Sequence, residues 1–156
     1  MILISGLSGS GKTTAIKALE DIGFYCVDNL PILLLPKFIE LCEQSGGKIS
    51  KVAVVEDIRG TASYPVWENA EAAQGGKDFF EDSRRVIQDL QKEGYSLEIL
   101  FLESSDSILM RRFSETRRQH PLAVGGSLGE GIRLERERLQ GIREKPRLRD
   151  SGMLRA

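Results

Sequence analysis

A three-layer α/β fold with a mainly parallel sheet is the class this sequence predicts, and three observations predict it. Short apolar runs alternate with helix-period segments along nearly the whole chain. The links between them are mostly short, which suits strand-helix-strand crossovers. The first link, Gly6-Leu7-Ser8-Gly9-Ser10-Gly11-Lys12-Thr13, is glycine-rich and joins an apolar run to a helical one. At 156 residues the chain falls within the usual span of one domain, so residues 1–156 are expected to fold as a single unit.

The elements follow in order. Residues 2–4 make a first strand, 13–22 a helix closed by Gly23, 24–27 a second strand and 36–44 a second helix. Residues 52–55, an uninterrupted Val-Ala-Val-Val, predict a third strand buried on both faces. A helix over 78–93 follows: Asp78 and Glu81 have the capping-box spacing, Phe80, Ser83, Ile87 and Leu90 share one stripe, and Gly94 stands where a C-cap belongs. A strand over 97–102 and a helix over 106–116 come next. The last helix, 128–143, carries Leu128, Ile132, Leu139 and Ile142 on one stripe, with Gly129, Gly131 and Gly141 weakening it. Two stretches break the rhythm: 59–77 predicts a long excursion, and 120–131 a flexible loop. After Pro146 the chain is polar and ends without another strand, so the sheet is expected to lack its last member.

Composition excludes several classes of function. Hydrophobic residues at 40% and charged ones at 29% are those of an ordinary globule. Apolar runs such as Ile32 to Leu35 are far shorter than the roughly 20 residues a membrane span requires, and the N-terminal apolar stretch has no basic flank. Cys26 and Cys42 are not spaced as C-x-x-C, which suits a reducing compartment, so a cytoplasmic location is expected. The net charge of −1 hides an asymmetry. Residues 1–105 hold 10 Lys+Arg against 16 Asp+Glu, whereas residues 106–156 hold 12 against 7. Eleven of those twelve cations are arginine, whose planar fork suits phosphate. Within this half, the alternating run Arg133-Leu134-Glu135-Arg136-Glu137-Arg138 predicts a solvated helix face.

Gly6 to Thr13 matches G-x-x-x-x-G-K-[ST] at every fixed position, directly after a strand and before a helix. The glycines let successive N–H groups curl toward a phosphate, and the helix adds its positive end. Lys12 is then expected to reach the β- and γ-oxygens, and Thr13 to take one Mg²⁺ position. Such a phosphate loop needs a further acid on the metal side. Asp28, Asp57 and Glu103 all stand at strand ends, and Asp57 is preferred because it follows the 52–55 run and Glu56. Asp28 stands where many P-loop kinases bind their acceptor. Arg111, Arg112, Arg117 and Arg118 precede the glycine-rich loop, the place of lid arginines that neutralise a transferring phosphoryl group, and Arg117 and Arg118 are assigned that catalytic role with Lys12 and Asp57. His120, the single histidine, has no Cys or His cluster near it, which argues against zinc, and Cys26 has no His or Asn partner for a nucleophilic role.

These blocks carry a resemblance. Gly6 to Thr13, the stretch Gly23-Phe24-Tyr25-Cys26-Val27-Asp28-Asn29-Leu30-Pro31, Asp57-Ile58-Arg59, and Thr116-Arg117-Arg118-Gln119-His120-Pro121-Leu122 together resemble the RapZ/YvcJ family of bacterial nucleotide-binding proteins. The resemblance implies a kinase-like P-loop domain of strand order 2-3-1-4-5 that binds ATP and GTP with Mg²⁺ and hydrolyses them slowly. It also implies a C-terminal domain beyond this chain and, in the RapZ branch, an RNase adapter that binds small RNA. The family's guanine-nucleotide contact, Asp-x-Arg-Asn, falls on Asp57, Ile58, Arg59 and Gly60, with Gly60 in place of Asn. A small-molecule P-loop kinase is the alternative, and homo-oligomerisation through an uncovered sheet edge is a further expectation.

Overall fold

The computed structural model describes residues 1–56, 76–123 and 125–143. Its first strand, β1 (Ile2–Gly6), is apolar on both faces, and such a strand belongs inside a sheet covered on both sides. Leu3 and Ile4, which point to opposite faces, are both fully buried. β1 lies between β3 (Val52–Val55) and β4 (Glu98–Leu102), and β2 (Tyr25–Val27) pairs with the far side of β3. The order β2-β3-β1-β4, parallel throughout, is the first four members of the expected arrangement. β1 extends two residues past its predicted end because Ser5 and Gly6 stay in register with Phe101 and Leu102.

Helices cover both faces. On one, Ile16 of α1 (Lys12–Asp21) packs against Ile4, Val55 and Leu102. On the other, Leu35 and Ile39 of α2 (Leu35–Gln44) and Ile87 and Leu90 of α3 (Gly76–Lys92) enclose Leu3, Val52 and Val54. Leu109 of α4 (Asp106–Thr116) joins Ile132, Leu139 and Ile142 of α5 (Leu128–Arg143) around Leu7. Each such Leu or Ile contributes about 1.5–3 kcal/mol by leaving water. The chain is therefore a three-layer α/β/α protein with a parallel sheet.

The helix ends follow local chemistry. At Gly23 and Gly94 the chain turns left-handed, and paired bonds, Phe24 N to Leu19 O with Gly23 N to Glu20 O and Tyr95 N to Leu90 O with Gly94 N to Gln91 O, close α1 and α3 as Schellman motifs. A 3₁₀ turn, Ile32–Leu34, leads into α2, whose Pro36 sits in the first turn, where its missing N–H is not needed. α3 starts at Gly76, so Asp78 stands inside its first turn instead of capping it. Most of the predicted excursion, residues 59–75, lies outside the described residues. Among the described residues, no helix is long and apolar enough to cross a membrane.

This topology places one loop apart from the others. From β1 the chain crosses to β2 on one side, and from β3 it passes over β1 to β4 on the other, so the carboxyl end of β1 is a switch point where an open parallel sheet leaves a crevice.

Candidate functional site

The loop at that switch point is shaped by β4. Gly6 has φ 137°, and a Cβ there would stand 2.1 Å from the Leu102 carbonyl oxygen, so the backbone approach admits only glycine. Leu7 N donates to the same Leu102 oxygen at 3.2 Å, and Ser10 N donates to Leu7 O at 3.0 Å, which closes the bend. Gly11 caps α1 in a left-handed conformation, and Lys12 begins the helix. The Lys12 side chain is buried, with Nζ donating to Gly6 O at 2.8 Å and Leu7 O at 3.0 Å. Its ammonium is thereby held across the loop, beside the first-turn amides that a helix leaves unsatisfied.

A cleft of about 700 Å³ opens over this loop. Its lining includes Ser8, Gly9, Gly11, Lys12 and Thr13 of the loop, Asp28 and Asn29 after β2, and Arg112, Phe113, Arg118 and Gln119. Arg112 Nη1 donates to Gly9 O at 2.6 Å, so the arginine segment already rests on the loop. The cleft thus receives Arg112 and Arg118 but not Arg111, which pairs with Glu115 at 3.8 Å, nor Arg117, the left-handed residue that ends α4. Of the three candidate acids, Asp28 lines the cleft and Glu103 is engaged by Arg136 and Arg143 of α5 at 3.5 and 3.3 Å. Asp57, with Ile58, Arg59 and Gly60, lies outside the described residues. A second hollow, about 360 Å³ and lined by Met1, Cys42, Ile49 and Tyr95, opens beside the amino-terminal ends of β1 and β3, away from this chemistry.

Three buried polar residues, Glu56, Glu135 and His120, have partners that were not expected from the sequence. Glu56 directly follows β3, and its carboxylate accepts from Ser83 Oγ through Oε1, while Oε2 has no hydrogen-bond partner among the described residues. Burial pushes its carboxyl above the usual carboxylate range, and Ser83, Ser5 and Lys12 pull the other way. Glu135, expected on a solvated face, is fully buried instead, with Oε1 accepting from Ser8 N at 2.9 Å and Ser8 Oγ at 2.8 Å. Its Oε2 meets His120 Nε2 at 2.9 Å, and Leu122 N donates to His120 Nδ1 at 3.1 Å. An Nδ1 that accepts leaves the ring proton on Nε2, so His120 donates to Glu135. The 120–131 stretch therefore opens on a buried, doubly bonded histidine, not on a free loop. A signal for Glu135 was present: Ile132, Glu135, Leu139 and Ile142 fall on one helical stripe, and an acid there has to be buried with partners.

Cys26 is half-buried, with Sγ 3.5 Å from Ile16 O, and burial followed by the Glu20 charge pushes its thiol up, away from the reactive thiolate. Among the described residues, no group of three or more His, Cys, Asp or Glu is placed to hold a metal by itself.

The model of the RapZ-like N-terminal domain matches residues 1–151. A protein of Alkaliphilus oremlandii named a nucleotide-binding protein is 51% identical over 144 residues, covering 92% of this chain and 44% of the relative. Proteins of the same name from Clostridium kluyveri and Clostridium botulinum are 49% and 48% identical with the same coverage. The chain spans less than half the length of these curated relatives.

Proposed function

This chain belongs to the RapZ-like N-terminal domain family, and from that membership we propose that its glycine loop is a P-loop that binds the triphosphate of ATP or GTP together with Mg²⁺. The observation that carries the reading is the buried Lys12 ammonium held on the Gly6 and Leu7 carbonyls, in a cleft that Arg112 and Arg118 also line. The relatives' name, nucleotide-binding protein, supports the same ligand class.

The donor set suits a metal that arrives with its nucleotide, since Mg²⁺ takes few protein ligands when phosphate oxygens are present. Thr13 is open at the cleft, and Glu56, within the field of Lys12, has one oxygen with no hydrogen-bond partner among the described residues. Thr13 and an acid at the end of β3, Asp57 or its neighbour Glu56, would hold the ion, which supplies charge neutralisation between the β- and γ-phosphates. Lys12 binds the γ-oxygens, and Arg118, with Arg117 next to it, faces the charge that develops on hydrolysis. Slow hydrolysis suits a regulatory domain of RNase-adapter type whose nucleotide state is read by the rest of a longer, cytoplasmic protein, with small RNA as that protein's partner.

Titration of ATP and GTP with Mg²⁺ by calorimetry tests this. Lys12→Ala is expected to weaken both by about tenfold or more, about 1.4 kcal/mol. Wild-type affinity in a folded Lys12→Ala variant would remove the assignment. A small-molecule kinase is favoured by one observation, the presence of Asp28 and Asn29 in the lining of the same cleft. Nucleotide consumption stimulated by a metabolite mixture, with a phosphorylated product, would select it over slow unstimulated turnover.

A further inference from the structure

Glu135 has no part in the reading above, yet it is the most completely buried acid among the described residues and all its hydrogen bonds lead to the cleft. Its stripe neighbours Ile132, Leu139 and Ile142 belong to the apolar cluster around Leu7 and Leu109, so a hydrophobic side chain of similar volume would complete that core. A buried carboxylate is the costlier choice for stability alone. Its bonds show what it secures instead.

Oε1 takes both the N–H and the hydroxyl of Ser8, the third residue of the loop, and fixes the plane of that peptide. The next bond along, Ser10 N to Leu7 O, fixes the bend from the other side, so the backbone entering Gly11 and Lys12 has one orientation before any ligand arrives. Oε2 takes the Nε2 proton of His120, two residues after Arg118. Phe113 stacks obliquely on the His120 ring with centroids 5.1 Å apart, and Arg112 beside it bonds Gly9 O. One helical residue thus ties the phosphate loop and the arginine segment to each other. Gly131 is the accommodation for this: a Cβ there would stand 2.8 Å from His120 Nδ1 and 3.0 Å from Ala123 Cβ.

We propose that Glu135 is a positioning residue of the phosphate site, holding the Ser8 peptide and, through His120, the Arg118 segment, so that cradle and opposing arginines are preformed as one unit. The proposal rests on the reading of the loop as a triphosphate site. It predicts a specific defect for Glu135→Gln. The amide oxygen still accepts from Ser8, but its NH₂ then faces the Nε2–H of His120, and a change of tautomer would only move the conflict to Nδ1 and the Leu122 amide. The tie between loop and arginine segment is cut, while size and helix are kept.

Two measurements test it. Hydrogen exchange on the unliganded protein is expected to rise at the amides of His120 to Ala123 and of Ser8 to Lys12 in Glu135→Gln, with β1 and β3 unchanged; unchanged exchange at both segments overturns the proposal, whether or not nucleotide binds. Calorimetry is expected to show ATP and GTP affinity about tenfold lower in Glu135→Gln. Because the residue acts through the arginine segment, Glu135→Gln combined with Arg118→Ala is expected to bind within about threefold of the weaker single variant, whereas independent losses that multiply would overturn the coupling. Should Glu135→Gln fail to fold, His120→Leu cuts the arginine side alone, and wild-type triphosphate affinity in that variant refutes the proposal. If the wild type itself binds neither triphosphate, the functional reading fails and the exchange comparison still decides the tie.

Discussion

Glu56 shows how much one buried carboxyl can decide. Its folded pKa is raised because burial outweighs the help of Ser83, Ser5 and Lys12, so folding favours the protonated acid. Stability from such a group is complete below the unfolded pKa and is lost as pH rises through the folded one. Glu56→Gln is therefore expected to be more stable than the wild type at pH 7 in metal-free buffer, with the gap closing toward about pH 4. Urea midpoints at the two pH values check this, and an equal gap at both would point to packing, not charge. The same variant is expected to lose Mg²⁺-dependent triphosphate affinity, since an acid kept at a cost to stability is characteristic of a site. Lys12 and Thr13 were legible because backbone geometry enforces their spacing locally. Glu56 was not, and of Glu135 only its place on an apolar stripe was, since their partners, Ser83 on α3 and Ser8 and His120 around α5, are set by packing between elements distant in sequence.

The helices carry their own test of which glycines are structural. α5 opens with a capping box absent from the sequence reading: Glu130 N donates to Ser127 Oγ at 3.2 Å and Ser127 N to Glu130 Oε2 at 2.9 Å, which holds the Glu130 carboxyl below its usual range. Its pattern was hidden inside a stretch whose glycines predicted a loop. Gly129 has open space where a Cβ would go, whereas Gly131 has His120 and Ala123. Gly129→Ala is expected to stabilise the protein by about 0.5 kcal/mol through the unfolded chain and helix propensity. Gly131→Ala is expected to destabilise it by about 1–3 kcal/mol despite the same propensity gain. Thermal midpoints of the pair check both signs, and stabilisation by both would show that His120 can give way. Element order and most boundaries were legible because apolar periodicity and Schellman glycines act within a few residues. The extension of β1 to Gly6 was not, being set by its register with β4.

Across the whole molecule, the arginine-rich half raises the question of a polyanion track, since residues 106–156 carry a charge excess that residues 1–105 lack. The placement of the described arginines argues against one. Arg111 lies by Glu115, Arg133 by Glu137 at 3.0 Å, Arg136 by Asp106 at 2.7 Å, and Arg143 by Glu103. Each exposed pair is worth little by itself, about 0–1 kcal/mol, so the point is their alternation in sign, which prevents a continuous positive stripe. Arg112 and Arg118 are turned toward the cleft, where their chemistry suits one compact triphosphate. Single-strand binders also interleave aromatic platforms, whereas Phe113, which lines the cleft with these arginines, is half-buried against His120. RNA binding by this chain alone is therefore expected to be non-specific, with a Kd of about 1–100 μM near 150 mM salt and a log-log salt slope of about −0.7 per phosphate contacted. Fluorescence anisotropy with a short single-stranded RNA across a salt series measures both quantities. Nanomolar, sequence-selective binding with a shallow slope would mean that these arginines leave their acidic neighbours to read RNA, and the assignment of Arg118 to the phosphate cleft would have to be shared with it.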